Sequence, residues 1–153
     1  MNNLPRGVVV PLATPLTEME TLDTPALRQL VQCQLQAGVD ALFVLGSCGE
    51  GLLLTEETRM QVIRSTIEAA ESAVPVYAGA SDNSVMRVLE HINRLAEIGT
   101  AAAVLTLPYY AWPDDQDCAS EYFVQTADRS PLPIIAYNLP KALTMPLKPS
   151  KST

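Results

Sequence analysis

Four short stretches carry side chains that can hold an anion or move a proton. Gly46-Ser47-Cys48-Gly49-Glu50-Gly51 sets a hydroxyl and a thiol among glycines. Gly79-Ala80-Ser81-Asp82-Asn83, Pro108-Tyr109-Tyr110 and Tyr137-Asn138-Leu139-Pro140 follow it in order, and Thr14-Pro15 precedes it. Glycines let backbone N–H groups come close to a ligand, which makes an anion pocket. Hydroxyls both donate and accept, so Ser47, Tyr110 and Tyr137 could form a proton relay. That suits chemistry at a carbonyl carried out without histidine or metal. Each stretch alone has a plainer reading: turn glycines, a helix cap at Asn83, a surface tyrosine pair, a core tyrosine.

The remaining composition narrows the choice. His91 is the single histidine, and Cys33, Cys48 and Cys118 share no metal-ligand spacing, so a Cys/His zinc site is not expected. Cys33 and Cys118 are expected to be packed, and Cys48 has no base nearby in sequence to activate it. A net charge of −7 and a pI near 4.6 disfavour nucleic acid and anionic membrane surfaces as partners. Met1 to Pro11 lacks a signal-peptide pattern, and no apolar run reaches the ~18 residues of a membrane span. A cytoplasmic protein with reduced thiols is the expectation.

These stretches need elements to position them. Val8 to Val10 reads as a first strand ending at Pro11. Thr24 with Pro25 predicts an N-cap and first helical residue, and Leu27, Leu30, Val31 and Leu35 recur at helical spacing up to Gly38. Ala41 to Leu45 predicts a second strand, and Thr55 caps a helix to about Ser72 with Glu56 and Glu57 in its first turn. Val74 to Ala78 predicts a third strand; Asn83 or Ser84 caps a helix striped by Val85, Val88, Leu89, Ile92, Leu95 and Ala96 and ended by Gly99. Ala101 to Leu107, a helix near Gln116 to Asp128, and Ile134 to Tyr137 complete the series. Strict alternation of apolar strands with helices means an α/β protein with parallel strands and right-handed crossovers. A complete (β/α)₈ barrel takes about 250 residues, so spacing alone would favour an open five-stranded sheet over a barrel for 153. In either case the four stretches fall at strand C-termini, where such folds put their chemistry.

The ordered set reverses that preference. Gly46-Ser47-Cys48-Gly49-Glu50 resembles the Gly-Thr/Ser-Thr-Gly-Glu signature of the dihydrodipicolinate synthase / N-acetylneuraminate lyase family. Gly79 to Asn83 resembles its next loop, Leu107-Pro108-Tyr109-Tyr110 its Pro-Tyr-Tyr segment, and Tyr137-Asn138-Leu139-Pro140 its Tyr-Asn-x-Pro motif. The resemblance runs from about Pro5 to Pro146. It implies a partial (β/α)₈ TIM barrel of five strands and four helices, and a class I aldolase that joins pyruvate or another 2-oxo acid to a lysine as a Schiff base. It implies Tyr137 as proton donor and acceptor, Ser47 as relay, and Tyr110 as its extension, in many members across a subunit interface of a homo-oligomer. Ser47, Cys48 and Gly49 would bind the substrate carboxylate. No cofactor is implied, because the imine is the electron sink.

Three departures stand out. Cys48 replaces the usual threonine, and a thiol is the weaker hydrogen-bond partner. Ala142 falls where dihydrodipicolinate synthases place an arginine, so a 2-keto-3-deoxy sugar acid aldolase fits at least as well. The Schiff-base lysine belongs one β/α unit beyond Tyr137, and Lys141, Lys148 and Lys151 lie in no apolar strand that could lower a lysine pKa. Residues 1–146 are thus expected to be the N-terminal part of a barrel lyase, with 147–153 a truncated tail. The alternatives are an inactive fragment that binds a 2-oxo acid or joins another barrel chain, and an open-sheet protein of unrelated function.

Overall fold

The computed structural model describes residues 7–110, 113, 115–139 and 147. Pro5, Pro140, Lys141, Ala142, Lys148, Lys151 and the 146/147 boundary lie outside the described residues. The elements run β1 (Val9–Pro11), α1 (Thr24–Gln36), β2 (Ala41–Val44), α2 (Glu56–Ala70), β3 (Val76–Gly79), α3 (Val85–Ile98), β4 (Ala102–Leu105), α4 (Gln116–Arg129) and β5 (Ile134–Ala136). The strands form one sheet in the order β1-β2-β3-β4-β5, every pair parallel. The expected alternation of elements is therefore the observed one.

Period-two alternation sorts the strand side chains onto two faces. Leu42, Val44, Val76, Ala78, Ala103 and Leu105 point into the core shared with the helices. There they meet Leu27 and Val31 of α1, Val62 and Ile63 of α2, Val88, Ile92 and Leu95 of α3, and Ala119 and Tyr122 of α4. Ala41, Tyr77, Ala102 and Val104 point the other way, with Phe43, Ile135 and Tyr137 packed on them. The register aligns Phe43 with Tyr77 and Tyr77 with Ala102, which stacks this second face in rows.

Local chemistry explains the helix ends, with some corrections. Asp23, not Thr24, caps α1: its side-chain oxygen accepts from the Ala26 N–H at 3.0 Å, which moves Thr24 inside the helix. Thr55 caps α2 as expected, accepting from the Thr58 N–H at 3.2 Å above the acidic first turn. That helix stops at Ala70, before Ser72, where Glu71 turns left-handed. Ser84, rather than Asn83, caps α3, and Gly99 ends it at φ +96°. Cys33 and Cys118 are exposed, contrary to the expected packing. On α1 the buried positions are Leu27 and Val31, and Cys33 follows Val31 by two residues, which puts it on the opposite side of the helix. Cys118 lies in the first turn of α4, four residues before the buried Tyr122, and is exposed at that helix end.

Candidate active site

The loop after β2 is held by an unusual backbone turn. Leu45 is buried yet adopts φ +58°, a region costly for an L-residue with a bulky side chain. Its carbonyl oxygen lies against the α-carbons of Gly51 and Gly79, and a Cβ at either glycine would run into it. No other residue type fits this approach without displacing the turn. From outside, the Thr14 hydroxyl donates to the Gly49 carbonyl at 2.7 Å, tying the loop to the segment after β1. Within it, the Gly51 N–H reaches the Gly46 carbonyl at 3.3 Å.

A cavity of about 260 Å³ opens at the C-terminal ends of β2, β3, β4 and β5. Gly46, Ser47, Glu50 and Leu52 of the loop line one side, Arg59 and Gly79 the next, and Ser81, Thr106 and Tyr137 the far side. The Tyr137 backbone N–H donates to the Leu105 carbonyl at 2.7 Å, and its ring meets Phe43 edge-on at 6.1 Å. Of the expected site residues, Ser47 and Tyr137 are thus brought to one cavity. Gly49 is buried behind the loop, and Cys48 is exposed; neither lines the cavity. Tyr110 stands outside it, 86% exposed.

Arg59 was not among the sequence-based expectations, and Ser81 and Asp82 were named there only as part of the stretch after β3, without roles of their own. Arg59, in α2, is buried and donates to the Gly79 carbonyl at 3.2 Å and to Glu56 at 3.4 Å. Burial lowers its pKa, while Glu56 and Asp82 act the other way. It is the cation of the cavity wall. The Ser81 hydroxyl accepts from the Thr106 N–H at 2.9 Å and so ties β3 to β4 at the rim. Asp82 is buried beside them, with its carboxylate taking Arg87 Nε at 2.8 Å and facing His91 Nε2 at 3.1 Å. Burial pushes Asp82 up, but hydrogen bonds from Arg87, the Asn83 N–H and His91 outweigh it and hold the carboxyl at about 2. Arg59 stands in a helix rich in solvated charges, and its contact with Gly79 bridges 20 positions, so no local pattern announces it. Among the described residues, no three His, Cys, Asp or Glu side chains are grouped to hold a metal ion.

The family model described as the dihydrodipicolinate synthetase family matches residues 4–152. The chain belongs to this family. Members at comparable distance include the 4-hydroxy-tetrahydrodipicolinate synthase of Methylococcus capsulatus, 35% identical over 135 residues, which are 88% of this chain and 46% of that protein. The Halorhodospira halophila protein of the same name is 36% identical over 139 residues, again with 46% of its length covered. The dihydrodipicolinate synthase of Thermotoga maritima superposes with a TM-score of 0.88 at 31% identity, covering 93% of this chain and 48% of that one. A prophage protein of the family from E. coli K12, solved with pyruvate, gives 0.84 at 32% identity, covering 92% and 47%. The chain thus spans about half the length of the family members it matches. Its five parallel strands are part of a (β/α)₈ barrel, not an open sheet.

Proposed function

We propose that this chain supplies one part of a Schiff-base lyase site that takes pyruvate or a related 2-oxo acid. The observation that carries the reading is the cavity at the strand C-termini, where Ser47 and Tyr137 share one wall system in a member of this family. The pyruvate held by the E. coli K12 relative supports the substrate class. In this reading the backbone N–H at Ser47, on the cavity wall, holds the carboxylate, and Cys48 and Gly49, which do not line the cavity, shape the turn that presents it. A lysine amine attacks the 2-oxo carbon and water leaves; the protonated imine then accepts the electron pair of the bond that breaks, C–C in cleavage or C–H before condensation, and in condensation the resulting enamine gives that pair to the aldehyde carbon. Tyr137 gives and takes the proton, Ser47 passes it on, and Tyr110 extends the relay. Tyr110 is exposed, which suits a group that reaches toward a neighbouring subunit of a homo-oligomer. The lysine comes from a sixth β/α unit, beyond residues 1–146.

The second partner is a short aldehyde or sugar-acid fragment, as in 2-keto-3-deoxy sugar acid aldolases or dihydrodipicolinate synthases. No helix among the described residues is long and apolar enough to cross a membrane. Cys33, Cys48 and Cys118 are thiols, which suits a cytoplasmic setting.

A second reading is a fragment without catalytic activity that binds a 2-oxo acid or joins another barrel chain. It is favoured by β1 and β5, which each pair on one side only among the described residues. Incubation with pyruvate and borohydride, followed by mass measurement, separates the two. The chain alone should gain no reduced pyruvyl group. The chain joined to the C-terminal half of the Thermotoga maritima relative should gain one. A folded joined chain that gains none defeats the lyase reading, and an adduct on the chain alone defeats the placement of the lysine.

A further inference from the structure

Asn83 follows the buried Asp82 and precedes Ser84, the residue that caps α3. Its own side chain is therefore not spent on the helix. Instead its oxygen accepts from two successive backbone N–H groups, Tyr109 at 2.9 Å and Tyr110 at 2.7 Å. These lie 26 and 27 positions later, on the next strand's loop. One amide oxygen with two lone pairs fits two such donors.

Asn83 is itself fixed. Its N–H donates to the Asp82 carboxylate at 2.6 Å. That carboxylate also takes Arg87 Nε and His91 Nε2, and the Asp82 carbonyl accepts the Tyr122 hydroxyl at 3.1 Å. A buried, ionised anchor thus holds Asn83, and Asn83 holds the turn that bears Tyr110. The Tyr110 side chain is 86% exposed, so its own packing fixes it little.

We propose that Asn83 is a positioning residue for Tyr110, setting the outer end of the proton relay through the backbone of the Pro108-Tyr109-Tyr110 turn. This rests on the relay role given to Tyr110 above. Asn83→Leu keeps the size and removes the acceptor; Asn83→Asp keeps an acceptor oxygen. In the 153-residue chain, hydrogen exchange should quicken about tenfold at the Tyr109 and Tyr110 amides in Asn83→Leu, and recover in Asn83→Asp. The Ala103 amide, bonded to the Pro133 carbonyl inside the sheet, should not change. Unchanged Tyr110 exchange in Asn83→Leu, equal loosening in Asn83→Asp, or equal loosening at Ala103 would overturn the proposal.

In the chain joined to the relative's C-terminal half, Asn83→Leu should lower kcat about tenfold and leave KM for pyruvate within about twofold. A change confined to KM would also overturn it. The exchange result is read without substrate, so it stands or falls separately from imine formation.

Discussion

On the helix side of the sheet, Leu42, Val44, Ala78, Ala103 and Leu105 are sealed under four helices, and Ile92 beyond them is fully buried. On the opposite side, Phe43, Ile135 and Tyr137 are only partly covered, and a cavity of about 330 Å³ runs along Val9, Phe43, Tyr77, Val104 and Ile135. The Tyr77 hydroxyl is buried there without a hydrogen-bond partner among the described residues. Both faces arise from the same strands by simple alternation. The difference teaches that the helix layer stabilises the fold, while the inner face and rim hold the cavities.

The sharpest way to break this comparison is to cut equal volume from each face. Ile92→Ala should cost about 3 kcal/mol, in the range for a fully buried isoleucine, whereas Ile135→Ala on the inner face should cost about 1 kcal/mol. Urea unfolding of the two variants measures this; equal losses would mean that the inner face carries as much of the fold as the outer.

The rim comes next in size. The folded Asp82 carboxyl stands at about 2 against an ordinary 3.8. A carboxylate depressed by folding adds stability that is fully present above the unfolded pKa and is lost as pH falls toward the folded one. Stability should therefore fall by on the order of 2 kcal/mol from Asp82 alone between about pH 4 and pH 2, and Asp82→Asn should flatten that fall. Urea midpoints across this range decide it; an unaltered slope in Asp82→Asn would remove the buried anchor from the account.

Smallest is the inner hydroxyl. Tyr77→Phe should leave the chain unchanged or steadier by up to about 1 kcal/mol, since an unpartnered buried O–H is removed. In the chain joined to the relative's C-terminal half, the same substitution should cost stability if the added half offers the hydroxyl an acceptor. Thermal melts of the two pairs compare the face open with the face covered.

The outer face was the easier one to read. Continuous apolar runs and helical stripes gave each element, because burial on the helix side demands them. The ends were harder: Asp23 and Thr24 are both good caps, and only the Ala26 N–H decides between them. Ser47 and Tyr137 were legible because glycines and a Tyr-Asn pair mark strand ends. Arg59 was not, and the stretch of Ser81 and Asp82 was marked but not its bonds, because charge and hydroxyl in a helix or loop look solvated until a distant partner is known. Tyr110 shows the opposite case: its motif was plain, but its exposure and its tie to Asn83 needed the backbone of two strands.

The strand order also bears on how the chain comes to be. Each strand lies beside the one synthesised just before it, with no strand waiting for a distant mate among β1 to β5. A ribosome extruding this polypeptide can therefore lay the sheet down by accretion, one β/α unit docking on the last. Each such step closes a loop of only about one β/α unit, as from Val9 to Ala41, which costs less entropy than joining the first strand to the last. The first strand laid down then keeps one unpaired edge throughout the addition of β2 to β5.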